Sequence, residues 1–470
     1  MDPTGWSRGL SVEVGGKGVV SHVGTAALRL LADRVGLTGG LSRAMAGSRF
    51  VPLHDRGRVL TDIAVTLADG GTRIRDIATL LDQEELFGPV ASVSTAWRAL
   101  EEVTGDRLDR VAAARAATRA HVWEQIVARH GRIPPCRVAG RDLGDTVVIR
   151  LDASIVIAHS DKELAAATFK RTFGHHPLTA WCDNTGENLT IALRRGNAGS
   201  NTAADHIAVL TEAIRQIPQP YRNNLLVTVD GAGSSHALID HITALNAQPG
   251  ARVHYSVGFD LDERTRRAIG RLPQLAWSPA LDPDGEPRDG ADVAEITGLL
   301  RTDPAGDQLA GWPADMQVLV RRERPHPGAQ LSLFEQHSGY RFQVVATSIP
   351  SGQAQFLEAC HRVQARVESR IRCGKDTGLR RLPSKSAAIN RAWTAAVGIA
   401  CDLLAWLQLL TLDGDLAAAE PKTLRYRLLH TAGRIILGQR RRRLRIPETW
   451  PWAEQLLTAF TRILALPAPP

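Results

Sequence analysis

The chain has 470 residues, 44% hydrophobic and 23% charged, the balance of a folded globular protein; this excludes a disordered or membrane-dominated chain and predicts two or three structural units. Lys and Arg number 57 against 49 Asp and Glu, a net charge of +8 that favours a polyanionic partner, nucleic acid first and a membrane surface second. Five cysteines (Cys136, Cys182, Cys360, Cys373, Cys401) stand without a C-x-x-C pair, which argues against a zinc ribbon or disulfide framework and fits the reducing cytoplasm.

The opening MDPTGWSRGLSVEVGGKG lacks the apolar run of a secretory signal. Residues 1–140 read as helices, with breaks at Gly70 and Gly71 and at Gly88 and Pro89, and with Thr72 and Ser92 as candidate N-caps. That pattern fits a helix-turn-helix and a plain helical bundle equally well.

From residue 145 the character changes. TVVIRLDASIVIAHS is β-branched and predicts a buried strand with Asp152 near its end. PLTAWCDNTGENLTIALRRG predicts a hairpin turning at Asn184 to Asn188. A helix capped by Asn201 or Thr202 follows, then the strand NLLVTVDGAG with Asp230 at its end, the helix SSHALIDHITAL and the strand RVHYSVGFDLD. Strand, hairpin, helix, strand, helix, strand implies a mixed α/β sheet with flanking helices. Residues 261–345 read as a β-rich insertion, with long helices expected over 352–374 and 385–412 and a basic helical C-terminal region over 416–470. The apolar run from Ala392 to Leu410 approaches spanning length but carries Asp402 and Gln408, so it reads as a buried helix. No internal repeat is visible.

Asp152 and Asp230 each stand at the polar end of an apolar strand, where ligands commonly bind, and Gly231 and Gly233 permit close approach to Asp230. Each alone reads rather as a turn or a helix cap. Glu368 lies in HRVQARVESRIRCGKDTGLRR, among cations and with no second acid before Asp376. At about 100° per residue, His361, Gln364, Arg372 and Lys375 fall near it on a helical wheel, beside an apolar stripe of Val363, Val367 and Ile371. Taken alone it reads as half of an ordinary i,i+4 pair with Arg372. Three carboxylates together are the hard-oxygen donors that Mg²⁺ and Mn²⁺ prefer, and the surrounding Arg362, Arg366, Arg370, Arg372 and Lys375 suit a phosphate backbone.

The segments LDASIVIAHSDKE, TFKRTFGHHPL, LRRGNAGSNTAADHI, VTVDGAGSSH, HYSVGF, RRERPHPGAQL and ESRIRCGKDTGL together resemble the DDE transposases of bacterial insertion sequences, over residues 147–412 and more weakly on both sides. The resemblance implies a ribonuclease-H-like core over 145–260 and 346–415, with the β-rich insertion before the catalytic glutamate and a DNA-binding helical region over 1–140. It makes Asp152, Asp230 and Glu368 the catalytic, metal-holding triad, with two Mg²⁺ ions (or Mn²⁺) as cofactors. Relatives carry Tyr, Arg, Glu and Lys in a frame that here reads His361, Gln364, Glu368 and Lys375, so the family's DNA contacts fall on His361, Gln364 and Lys375, with Arg362 or Arg372 as substitutes for the missing arginine and Arg366 as a further contact.

The expected activity is cleavage at the terminal inverted repeats of an element in double-stranded DNA and transfer of the 3′-hydroxyl ends to target DNA, by a homodimer on paired ends, in the cytoplasm and away from membranes. The alternatives are a metal-dependent nuclease without strand transfer and a domesticated DNA-binding protein.

Lower-ranked readings remain. His159, His175, His176, His206, His236 and His241 lack metal-site spacing, and DGAGSSH lacks the residues of a phosphate loop or a serine nucleophile. Trp277 and Trp312 suit either packing or stacking on an unpaired base. QRRRRLRIP at 439–447 is either a DNA contact or the solvated end of a basic helix.

Overall fold

A computed structural model of the chain describes residues 5–7, 9–47, 52–199, 202–438 and 441–469; Asn201, Gln439 and Arg440, named above, lie outside the described residues. The N-terminal third is helical: α1 (Val23–Arg34), α2 (Leu37–Met45), α3 (Arg56–Ala68), α4 (Val93–Glu102) and α5 (Asp106–His130). Ser92 caps α4 as expected, its hydroxyl accepting from the Thr95 N–H. Thr72 does not cap. There the Asp76 carboxylate accepts from the backbone N–H groups of Thr72 and Arg73, at 2.8 and 2.9 Å, because it reaches two free donors where a threonine would satisfy one. α3 is buried on nearly every face, which makes it an interior helix rather than an exposed one.

The sheet is built from β1 (Val147–Ala153), β2 (Leu178–Cys182), β3 (Asn188–Ala192), α6 (Ala203–Gln216), β4 (Asn224–Val229), α7 (His236–Asn246) and β5 (Arg252–Phe259). β1 pairs antiparallel with β2 and β2 with β3, while β4 runs parallel to both β1 and β5. The spatial order β3-β2-β1-β4-β5 is the mixed sheet of a ribonuclease-H-like fold. β6 (Ser278–Leu281), β7 (Pro287–Glu295), β8 (Gln317–Glu323) and β9 (Arg341–Thr347) extend the β5 edge without a break, all antiparallel, into one nine-stranded sheet. The four added strands cover what would otherwise be an open edge at β5.

The expected helix over 352–374 is interrupted. α8 (Ala354–Arg362) and α9 (Arg366–Gly374) are separated by a tighter turn at Val363–Ala365, and α9 runs on into a wider turn, Lys375–Leu379, which kinks where Gly378 takes φ 98°. α10 (Ala387–Thr411) has the length and composition to cross a membrane, yet 83% of its apolar window is buried inside the protein. Asp402, the acid within it, is fully buried and paired: Arg115 and Arg119 of α5 donate to it at 2.5 and 2.6 Å. Arg119 also meets Glu187, just before β3, at 2.8 Å, and Glu187 accepts from the indole N–H groups of Trp123 and Trp406. This network joins the N-terminal helices, the β2–β3 turn and α10 in one interior.

The C-terminal region departs from the helical expectation. β10 (Gly433–Gly438) and β11 (Arg441–Arg445) form an antiparallel hairpin, and the short strand Val19–Val20 pairs with β10 before α11 (Ala453–Ala465) closes the chain. Ile435 and Leu444, paired across the ribbon, turn their side chains into the core. The arginine run conceals that alternation: only Leu444 breaks it, and the period-2 pattern shows only once both strands are aligned.

Removing Arg119 would leave Glu187 and Asp402 buried with reduced countercharge. Arg119→Ala is expected to destabilise the fold by about 3–5 kcal/mol, against under about 1 kcal/mol for breaking the exposed Arg372–Glu420 pair with Arg372→Ala. Denaturant midpoints measure both, and equal effects would refute the assignment.

Candidate active site

β1 and β4 position the first two acids. Their register pairs Leu151 with Val229, so Asp152 and Asp230 follow as neighbours at the carboxyl ends of adjacent parallel strands, about 4.8 Å apart in the hydrogen-bonding direction. Alternation sends Val147, Ile149 and Leu151 into the main core and leaves Val148, Arg150 and Asp152 on the face toward α9. Gly258 of β5 is required here: a Cβ on it would lie 2.6 Å from the Gly231 nitrogen, so only glycine lets the turn after Asp230 pass this close.

The Asp152 carboxyl reports the assembled site. Burial, then the charges of Asp230 and Glu368, push its pKa up to about 7, against the pull of the Ala153 N–H and the Lys375 ammonium. The charges of Asp230 and Glu368 thus reach Asp152, with Glu368 exposed on α9. Lys375, at the end of the same helical run, is half-buried, and burial first, then Arg380 and Lys170, lowers its pKa. Lys170, in a loop that also exposes Phe169, carries no motif that marks it in the sequence; its proximity arises only through folding.

Gln364 and His361 do not face a duplex. Both are buried, which corrects their expected DNA contacts: the helical wheel puts them near Glu368, but α8 and the turn after it pass beneath the sheet before α9 clears its edge. The Gln364 amide joins two strands. Its Nε2 donates to the Leu151 carbonyl at 2.8 Å, and its Oε1 accepts from the Thr228 hydroxyl, which also accepts from Arg150 at 3.2 Å. Leu151 immediately precedes Asp152, and Thr228 stands two residues before Asp230. His361 is held neutral, burial pushing its pKa down to about 4.

Arg150 is held by a buried partner, Asp183, at 2.7 Å, whose carboxylate Arg150 and Arg366 keep well below the usual range. The signal for this pair lies in the sequence as one arginine inside an apolar strand, which demands a buried acid. Of the remaining candidate cations, Arg362 is committed to Glu358 and to the Leu281 carbonyl, and Arg366 to Asp183 and the Arg137 carbonyl. Arg372 is exposed beside Glu420. Lys375 and Arg372 therefore offer the more available charge.

Trp277 is covered by the Arg322 guanidinium at 4.3 Å, which settles its role as packing. Trp312 stacks on His236 at 3.7 Å and meets Phe259 edge-on at 5.4 Å, beside the turn that follows Asp230. A separate group, His22, Asp69 and His430, brings its ligand atoms within 4.8 Å of one another. Asp69 there accepts from Thr25 and lies beside both imidazoles, at 2.8 and 3.2 Å, with the Arg425 charge adjacent. That carboxylate is already satisfied, so the group serves as a latch between the two chain ends. Asp152, Asp230 and Glu368 offer only carboxylate oxygens, the donor type that divalent Mg²⁺ and Mn²⁺ prefer.

A family model described as transposase DDE domain group 1 matches residues 3–468. No curated protein matches the chain. Among solved structures the chain is similar to one titled "Cryo-EM structure of piggyBac transposase synaptic complex with hairpin DNA", with 9% identity and a TM-score of 0.40 over 86% of this chain and 79% of that one.

Two outcomes are expected of this geometry. Gln364→Ala should cost about 1–3 kcal/mol, the penalty for leaving buried groups unpaired, and Gln364→Arg should be worse because it buries a second charge beside Arg150; a neutral or stabilising Gln364→Arg would refute the clamp. The folded-state pKa of Asp152, about 7, lies above the ordinary 3.8, so the folded chain keeps a proton the unfolded chain has released and stability falls as pH rises through that window. In chelator, Asp152→Asn should therefore gain more in melting temperature over wild type at about pH 8 than at about pH 5. An equal difference at both pH values would refute the shift.

Proposed function

The chain belongs to the transposase DDE domain group 1 family, and on that footing we propose that it cuts double-stranded DNA at the terminal inverted repeats of an insertion sequence and joins the freed 3′-hydroxyl ends to target DNA. The observation that carries this reading is the register that sets Asp152 and Asp230 side by side at the ends of β1 and β4, with the charges of Asp230 and Glu368 both reaching Asp152. Mutual repulsion of this kind is relieved by a cation, and an all-carboxylate donor set fits Mg²⁺ or Mn²⁺. When bound, a pair of such ions activates the attacking oxygen and steadies the leaving oxygen of a phosphodiester.

The chain's own residues supply the rest. β1 and β4 hold Asp152 and Asp230 at fixed spacing, and α9 brings Glu368 over the end of the sheet. Lys375 and Arg372 lie on the same helical run and meet the phosphates on either side of the scissile bond. The N-terminal helices recognise the element end, and two copies act together on paired ends. The buried position of Gln364 supports an intact site, since the missing family arginine leaves no hole in it. The enzyme works in the cytoplasm, where its DNA lies.

A labelled element end incubated with target DNA in Mg²⁺ or in chelator tests this. Metal-dependent nicking followed by joining is expected, with Asp152→Ala, Asp230→Ala and Glu368→Ala each lowering cleavage by about 10³-fold or more while end binding persists. Nicking without joining would make the protein a nuclease, and binding without nicking a DNA-binding protein alone. Undiminished cleavage by any one variant would remove that residue from the triad.

A further inference from the structure

We propose that the C-terminal β10–β11 ribbon is a second DNA-binding surface, separate from the carboxylate site, which grips the duplex backbone irrespective of sequence. The ribbon has two faces. Ile435 and Leu444 anchor one to the core, and the alternation of a β-strand then turns Arg434, Arg441, Arg443 and Arg445 to the other. All four are exposed. Among the described residues none of the four forms an ion pair; Arg434 donates to the Lys17 carbonyl.

The register makes this arrangement costly without a partner. Arg434 lies directly opposite Arg445, and like charges in directly paired positions destabilise a sheet. Elsewhere in the chain arginines with similar crowding are neutralised: Arg119 by two acids, Arg150 by Asp183, Arg29 by Asp62 and Asp33. On the ribbon the countercharge must come from outside the described residues. Arg441, Arg443 and Arg445 repeat every second residue, about 7 Å apart along an extended strand, so they present an evenly spaced line of charge. A polyanion with a regular backbone meets such a line, and a two-stranded β-ribbon has the dimensions to lie along the major groove of a duplex.

The ribbon is also held firmly at its root. Val19–Val20 adds a third strand to β10, and the latch of His22, Asp69 and His430 sits where both chain ends enter it. Beside it, Trp450 and Trp452 pack edge-on at 5.4 Å, and Tyr426 is exposed against both. Charge on a rigid support binds without the ordering cost of a flexible tail. The outer face sets Arg434, Arg441, Arg443 and Arg445 around Ile436, and the even spacing of the three strand arginines matches a repeating phosphate backbone.

This inference rests on the reading of the chain as a DNA-acting enzyme, and the test separates the two. The full-length protein and the triple variant Arg441→Gln, Arg443→Gln, Arg445→Gln are titrated with a short duplex of arbitrary sequence, and with an element end, over a range of salt. The expected result is a salt slope reduced by about 0.9 for each phosphate that the variant no longer neutralises, about 2.7 in all, on both duplexes. The thermal midpoint should hold or rise, because the variant removes the repulsion between Arg434 and Arg445. An unchanged slope with binding retained would overturn the ribbon and leave the proposed function standing, whereas no DNA binding by the wild-type chain would overturn both. A weakening confined to the element end would overturn backbone contact in favour of sequence reading. Binding to phosphatidylserine vesicles that is absent in the variant, with duplex binding intact, would assign the ribbon to a membrane surface instead.

Discussion

The candidate site depends on a neutral amide. Gln364 engages the Leu151 carbonyl with one end and the Thr228 hydroxyl with the other, so the helical run that carries Glu368 is registered against both strands that carry the aspartates. Strand pairing alone fixes Asp152 beside Asp230, because the parallel ladder leaves them no freedom to slip without exposing Val147, Ile149 and Leu151. A helix packed on a sheet has no such ladder. It can slide or rotate, and the one-turn offset from Gln364 to Glu368 converts a buried hydrogen-bond pair into a position for the carboxylate.

That neutrality has a reason in the surrounding charges. Arg150 already occupies the same face of β1 and is matched by Asp183, with Arg366 and Cys136 closing around the acid. A second buried cation there would lack a carboxylate of its own, since Asp183 is already shared by Arg150 and Arg366. The face of β1 thus changes over two residues from a neutralised pair at Arg150 to an uncompensated carboxylate at Asp152. The raised pKa of Asp152 is the consequence, and it marks the boundary between scaffold and chemistry.

Much of the strand order is legible because it is written in period and composition. The β-branched runs ending in Asp152 and Asp230, the hairpin around Asn184, and the acid inside the apolar helix all follow from patterns within about 20 residues. What escapes depends on partners distant in sequence. The helical wheel places Gln364 beside Glu368 correctly in angle but carries no information on where the sheet ends, so a buried residue reads as a surface one. Trp277 reads as free to stack because Arg322, which covers it, lies on another strand. The C-terminal ribbon reads as helix because four arginines in a row carry no period of their own, and Leu444 acquires meaning only opposite Ile435.

The distribution of arginine follows one physical rule. Inside the protein a guanidinium is tolerated only where carboxylates and carbonyls satisfy its fork, as Arg119 does between Glu187, Asp402 and Gln216. Such groups add little net stability, but they fix which helices meet which strands, since a misplaced partner leaves a bare charge in the core. On the ribbon the same residue type faces its own kind across the strands, where the buried arginines of the core each meet an acid. Folding alone gives no reason for Arg434 to face Arg445, when any small polar pair would hold the strands together better. Solvent screens these exposed charges in part, and an anion that arrives after folding relieves the rest. The geometry of an extended strand requires that anion to repeat along its length, as a nucleic-acid backbone does.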